Sequence, residues 1–486
     1  MKQKTYCSLL LILSILGYSQ AQSIHSLQHD IDKFVSSKTF NSSNLSIAIY
    51  DIDADTVVAS HRPLKVLSPA SSLKVITTLT ALKHLGPDFR FKTIIGYKGT
   101  LGSDGTLDGD LIIKGGGDPT FGSDKIDGTK NLKDITDYIV NQVIEAGINC
   151  VNGDILIDES IYDSYPVAPS WQWNDLGNYY ASGAWGFNVH ENQYYIYFNN
   201  KAAIGARPKV KYTSPTIPLL ILSNEIVIDS SHTGDQAYVF GGPYNYNKRL
   251  VGTIPQGQGT FSIKGSIPDP PYFYGTYLRK AMTKANIQSK DIKQRFREDR
   301  RLSFVTIDTI FSPTLSEITK TANFQSNNLY TESILKMVGL IEQGQGSGQN
   351  GIASIIRLLR SYGVDTKALE FHDGSGLSAR NYVNSLSFAK FLAGISRDLG
   401  IEECTKHMPR GGYSGTVRGL FGNSSAKGSI WLKSGSMQGV QSYTGYIKSK
   451  SGRWLSFSII ANGFTHEHGK IRREMEKFLT LVYKRT

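Results

Sequence analysis

The chain has 486 residues and a formal charge of +12, long enough for two or three domains with cores of their own. A basic excess draws a protein to anionic surfaces such as an acidic envelope polymer, and no dense basic block interleaved with aromatics makes nucleic acid the expected partner. Its three cysteines form no Cys-x-x-Cys or Cys/His cluster, which argues against a zinc site.

The first residues, MKQKTYCSLLLILSILGYSQAQS, place Lys2 and Lys4 ahead of an apolar run from Leu9 to Leu16, with small or polar residues around Ser19 and Ala21. This pattern predicts a signal peptide over residues 1–21, cleaved after Ala21. Its apolar core is shorter than the roughly 20 residues of a membrane span, and no later stretch is long and apolar enough to cross a bilayer. Cleavage removes Cys7 and leaves Cys150 and Cys404, read as two free or buried thiols.

A helical start near His29 to Val35 is followed by NLSIAIYDI and TVVASHR around a DIDAD turn, the pattern of a β-hairpin. Next comes SPASSLKVITTLTALKHLG. Pro69 suits the start of a helix, Leu73, Val75, Ile76, Leu79, Leu82 and Leu85 recur at helical spacing, and Gly86-Pro87 ends the run. Ser71 then falls in the first helical turn, with Lys74 at i+3 on the same side.

From Phe91 onward, short β-branched runs separated by glycine turns predict a β-rich insert over residues 91–269, with one or two nested subdomains and one helix from Leu132 to Ala146. The run KQRFREDRR, Lys293 to Arg301, reads as a solvated face. Helical patterns return at YFYGTYLRKAMTKANI and dominate from Pro313. Two strand signals, VQSYTGYIKS and RWLSFSIIANG, and a last helix with Ile471, Met475, Phe478, Leu479 and Val482 on one face close the chain. The expected architecture is one α/β (α+β) domain of residues 22–90 and 270–486, an antiparallel sheet packed with helices, interrupted by the insert.

Three short motifs carry chemistry. A serine hydroxyl needs a base, and a lysine serves only when neutral, a state favoured by burial and by a second nearby cation. Ser71-x-x-Lys74 alone is weak. Ser326-Asn327-Asn328 lies at the mouth of a predicted helix, and Lys433-Ser434-Gly435 begins a predicted strand. Together, in this order, they resemble the combined signature of the penicillin-binding proteins and class A β-lactamases.

With GDLIIKGGGDPTF, WNDL, DGSGLS, GYSGTVRGLF and GSMQGVQSYTGY, the chain resembles the class C low-molecular-mass penicillin-binding proteins, serine-type D-alanyl-D-alanine carboxypeptidases and endopeptidases with a transpeptidase-like, β-lactamase-like domain. The stretch between Ser71 and Ser326 is far too long for a compact β-lactamase and fits this family's large insert. The resemblance implies that Ser71 attacks the carbonyl between two D-alanines with Lys74 as proton acceptor. It further implies that Ser326 relays the proton to the leaving amine and that Asn328 holds Lys74 and the substrate amide. Lys433 is expected to supply the second charge that keeps Lys74 neutral and, with Ser434, to receive the terminal carboxylate.

Gly435 is expected to let the substrate backbone approach, and the Ser71 and Ser436 amides to form the oxyanion hole. Asp175, with Tyr180 and Met437, matches a pocket for the amine-bearing end of a diaminopimelate-type stem peptide. The family arginine that follows DGSGLS is displaced here by Ala379, leaving Arg380 as the candidate. The motifs read Ser-Asn-Asn and Lys-Ser-Gly where Ser-Asp-Asn and Lys-Thr-Gly are usual.

The partners this implies are peptidoglycan stem peptides, with β-lactams as covalent inhibitors, and the expected compartment is a Gram-negative periplasm. No cofactor or metal is required. A β-lactamase or D-amino-acid esterase, or a non-catalytic peptidoglycan-binding protein, are the alternatives. Gly115-Gly116-Gly117 reads as a tight turn rather than a phosphate loop, His466-Glu467-His468 as an exposed loop rather than a metal site, and His372-Asp373 as no part of a triad.

Overall fold

The computed structural model describes residues 27–295, 303–465 and 467–486. The expected signal peptide, the last six of the nine residues of the basic run and His466 lie outside the described residues.

Among the described residues, an antiparallel five-stranded sheet brings together the two ends of the chain. Its order is Ile430–Met437, Val440–Lys448, Trp454–Asn462, Asn44–Asp51 and Thr56–His61. The amino-terminal hairpin therefore joins the carboxy-terminal strands through the pairing of Ile47 with Ile459. The three central strands are buried almost throughout, as expected when helices cover both faces. One face carries the last helix, His468–Arg485, whose Ile471, Met475, Phe478, Leu479 and Val482 pack with Leu27 and Ile31 of the 27–35 helix. The other carries Lys74–Leu85, Asn328–Gln343 and Ser385–Leu399, sharing a core of Leu79, Ile334, Leu335, Phe388 and Leu392. No helix among the described residues is long and apolar enough to cross a membrane.

The insert has its own core, in which Ile113, Ile139, Phe187, Ile196 and Leu250 are fully or nearly fully buried. Its largest sheet has the order Ile292–Arg295, Ile155–Asp158, Thr106–Lys114, Lys92–Leu101 and Val305–Phe311, with Cys150–Val151 also on Thr106–Lys114. Among the described residues, two smaller sheets, of three and four strands, hold its other strands.

The boundary expected at residue 270 is wrong. Pro270–Lys284 sends Phe273, Tyr274, Leu278 and Met282 into the insert core, and Val305–Phe311 pairs with the insert's first strand, so the return to the catalytic core falls at Ser312. There Ser312 N donates to Phe91 O at 3.0 Å and Phe91 N to Ser312 Oγ at 2.9 Å, closing the entry and exit of the insert against each other. The head of the basic run is also not a free face: Ile292–Arg295 is a strand parallel to Ile155–Asp158, and Lys293 Nζ meets Asp154 at 2.7 Å. Gly115 and Gly116 press against the backbone of Gly186 and Lys92, where a Cβ would come within 2.4 and 2.0 Å of carbonyl oxygens. Cys150 and Cys404 are both free, the latter buried.

Candidate active site

Ser71 does not sit in the first turn of the α-helix. Ala70–Leu73 forms a single tighter turn, and the α-helix begins at Lys74. Ala70 takes φ +47°, a left-handed conformation that a non-glycine residue rarely adopts and that structures retain where a functional side chain must be aimed. Ser72 Oγ and Ser442 Oγ both donate to Pro69 O, at 2.8 and 2.5 Å, fastening this turn to the neighbouring strand.

Lys74 Nζ lies 3.0 Å from Ser71 Oγ, 2.6 Å from Asn328 Oδ1 and 2.6 Å from Ser375 O. The lysine is fully buried, and that burial lowers its pKa from an ordinary 10.5 to about 7; the carboxylates of Asp373 and Glu332 pull the other way. These two acids hold the loop that supplies the Ser375 carbonyl. Glu332 accepts the Gly374 and Ser375 amides, and Asp373 accepts those of Gly376 and Ser378, the Asn381 side chain and the Trp171 indole.

The second motif spans a helix break. Ser326 ends Leu315–Gln325 in a left-handed conformation with φ +56°, Asn327 caps the next helix through the Tyr330 amide, and Asn328 is that helix's first residue. This corner aims Ser326 Oγ at Lys433 Nζ, 3.0 Å away, while Asn328 Nδ2 donates to Tyr180 O of the insert at 2.8 Å.

Lys433, Ser434 and Gly435 lie in the middle of Ile430–Met437 rather than at the start of the strand signal that follows, from which a turn at Gln438-Gly439 divides them. Lys433 is buried and donates also to Ser434 O at 2.7 Å. Burial, and then the charge of Lys74, holds it well below the ordinary lysine range. Burial is therefore the leading cause of the downward shift of both lysines.

Gly435 serves a packing need: a Cβ there would lie 2.4 Å from Pro69 O, 2.4 Å from Ser442 Oγ and 2.8 Å from Ser72 N. The strand thus lies directly alongside the Ser71 turn, with exposed Ser436 next along it.

Asp175 and Tyr180 meet at the insert's edge, Tyr180 Oη donating to Asp175 Oδ1 at 3.2 Å, and partial burial raises the pKa of both. Met437 ends the strand, partly exposed. Arg380 is not gathered in. Its side chain is exposed and borders a cavity of about 840 Å³ shared with Lys336, His372 and Asp373, which Ser71, Ser326, Lys433 and Ser434 do not line.

Sequence reasoning missed several neighbours. Thr416 Oγ1 lies 2.8 Å from Ser434 Oγ, and His468 Nδ1 lies 3.3 Å from Ser436 Oγ, so His468 is not merely a loop residue. Thr416 stands inside the quoted GYSGTVRGLF stretch. Glu332, six residues beyond Ser326, carries no signal beyond being an acid on an apolar helix.

A buried lysine beside a serine, a second lysine–serine pair opposite, and an antiparallel sheet flanked by helices define a transpeptidase-like or β-lactamase-like fold with a large insert. Residues 27–482 match the D-Ala-D-Ala carboxypeptidase 3 (S13) family, and the chain belongs to it. It is 24% identical over 484 residues to a D-alanyl-D-alanine carboxypeptidase of Actinomadura sp. (strain R39), covering 93% of this chain and 85% of that one. It is 22% identical over 438 residues to D-alanyl-D-alanine carboxypeptidase DacB of Haemophilus influenzae, covering 87% and 86%. The crystal structure of penicillin binding protein 4 (dacB) from Haemophilus influenzae shares the fold with a TM-score of 0.80 at 19% identity, over 95% of this chain and 99% of that one.

Proposed function

We propose that this chain is an exported serine DD-peptidase of the periplasm that hydrolyses D-Ala-D-Ala ends, D-alanyl cross-links or both in peptidoglycan, through an acyl-enzyme on Ser71. The observation that carries this reading is Lys74 Nζ, 3.0 Å from Ser71 Oγ and buried so that its pKa falls to about 7. A base near neutrality takes a hydroxyl proton without needing alkaline conditions.

Ser71 Oγ attacks the carbonyl carbon of the penultimate D-alanine while Lys74 accepts its proton. The carbonyl oxygen becomes an oxyanion facing the Ser71 and Ser436 amides, where the loss of one donor typically costs about 100-fold to 1,000-fold in rate. The Ser326 hydroxyl, held by Lys433 Nζ, gives its proton to the leaving amine and is reprotonated through the lysines. The C–N bond breaks, D-alanine departs, and water, deprotonated by Lys74, cleaves the ester.

Burial and the charge of Lys74 disfavour an ammonium at Lys433, and an incoming carboxylate at Lys433 and Ser434 supplies a counter-charge that favours it. Asp175, half-buried with one hydroxyl donor, suits a stem-peptide ammonium. β-Lactams enter by the same attack because they resemble the D-Ala-D-Ala end.

The test is intact mass after exposure to benzylpenicillin. One stable adduct on the wild type and none on Ser71→Ala supports the reading. A folded wild type without adduct and with the drug intact rejects it for a wall-binding role; drug destroyed without a lasting adduct indicates a β-lactamase.

A further inference from the structure

The insert reaches into the second motif through one buried carboxylate. Glu191, 6% exposed, accepts from Asn327 Nδ2 at 2.9 Å, Tyr330 Oη at 2.5 Å, Ser123 Oγ at 2.7 Å and the Lys125 ammonium. Two of these donors belong to the catalytic core and two to the insert. His190, Glu191 and Asn192 have φ of +51°, +59° and +51°, three successive non-glycine residues in a region that single residues rarely enter. Such a backbone persists only when its surroundings over-determine it. Here Asn192 secures the turn by accepting the Val189 amide and donating to Asn188 Oδ1 and Gly183 O.

Asn327 has a neighbour on each side with work to do at the active site. Its Oδ1 accepts the Tyr330 amide at 3.2 Å and so caps the helix that starts at Asn328, while its Nδ2 is held by Glu191. Ser326 on one side is in a left-handed conformation and points to Lys433; Asn328 on the other points to Lys74. The side chain between them is thus pinned at both ends of its amide.

We propose that Glu191 is a positioning residue: from the insert, it fixes the Asn327 amide and with it the aim of the Ser326 hydroxyl and the Asn328 amide. This rests on the peptidase reading. It also explains why Asn stands in the middle of the motif, since an aspartate at 327 would set carboxylate against carboxylate, with Lys125 the one cation contacting Glu191 among the described residues. The position that looks neutral in the motif is matched to a partner in the insert.

The test compares wild type with Asn327→Asp, Glu191→Gln and the double substitution. Acylation by benzylpenicillin is measured per folded molecule, with melting recorded in parallel. Asn327→Asp is expected to slow the acylation step at least about tenfold, the scale of a misaimed reacting group, with little change in the drug's initial binding constant. The double substitution returns an amide–carboxylate pair with the donor reversed and leaves Lys125, which shares the Asn327-facing oxygen of Glu191, to meet the carboxylate introduced at 327; it is expected to be acylated at least about threefold faster than Asn327→Asp, as coupled sites allow.

Folded Asn327→Asp acylated at the wild-type rate, or a double variant no faster than Asn327→Asp, overturns the inference. Should Asn327→Asp not fold, Glu191→Gln carries the test, and its acylation at the wild-type rate overturns the inference equally. A wild type that is never acylated sinks the peptidase reading and this inference with it; unchanged variants of an acylated wild type sink this inference alone.

Discussion

Lys74 decides how the site responds to pH. Its burial lowers the pKa to about 7; in the proposed mechanism it is the base and must be neutral, so acylation is expected to rise with pH rather than fall. Between about pH 6 and pH 8 the neutral fraction grows roughly tenfold, and stopped-flow acylation by a chromogenic β-lactam should follow that curve; a flat profile would show that another group accepts the proton. Thr416 gives a second residue-scale prediction. Removing its hydroxyl with Thr416→Val leaves Ser434 without the partner at 2.8 Å and should raise the KM for a D-Ala-D-Ala peptide about three- to tenfold, the worth of one hydrogen bond, with kcat less affected. At this scale the side chains that the site brings together, Ser71, Lys74, Ser326, Asn328 and Lys433, were legible because three short motifs name them. The Ser375 carbonyl that holds Lys74 was not, because a backbone contact leaves no mark on residue identity, and Arg380 was misplaced because adjacency in sequence does not fix the side on which a side chain emerges.

The strand Ile430–Met437 and the Ser71 turn form one mechanical unit. Gly435→Ala would drive a methyl group into Pro69 O and Ser442 Oγ, each 2.4 Å from the added carbon. The strand must move off the turn, at a cost of about 1–3 kcal/mol in stability, and acylation should slow because Lys433 and the Ser436 amide move with it. Thermal melting and adduct formation, measured together, check this; an unchanged melting temperature would mean the contact yields freely. Helices and strands were largely readable from periodicity. Their partners were not: the apolar face of Pro270–Lys284 is the same pattern whichever core it meets, so sequence alone assigned it to the wrong side of the boundary at Ser312. The tight turn at Ala70–Leu73 was hidden for a related reason, since Pro69 and the leucine spacing suit a 3-10 turn and an α-helix alike.

Across the whole molecule, the formal charge of +12, lowered by two when Lys2 and Lys4 leave with the expected signal peptide, acts at longer range than any site contact. Co-sedimentation with purified peptidoglycan should weaken as salt rises toward about 1 M, where screening shortens to roughly 3 Å, while penicillin acylation at saturating drug stays within about twofold because its contacts are buried. Salt-independent sedimentation would assign retention to the binding cleft alone.

The pair of hydrogen bonds between Phe91 and Ser312, one backbone to backbone and one to the serine hydroxyl, makes the insert a side branch that leaves and rejoins at one point. A branch of that kind can lengthen, shorten or be exchanged over generations without rethreading the sheet from which it grows. Descent within such a fold can therefore vary what is recognised separately from what is done to it, provided each new branch still brings its own match for the residue at 327.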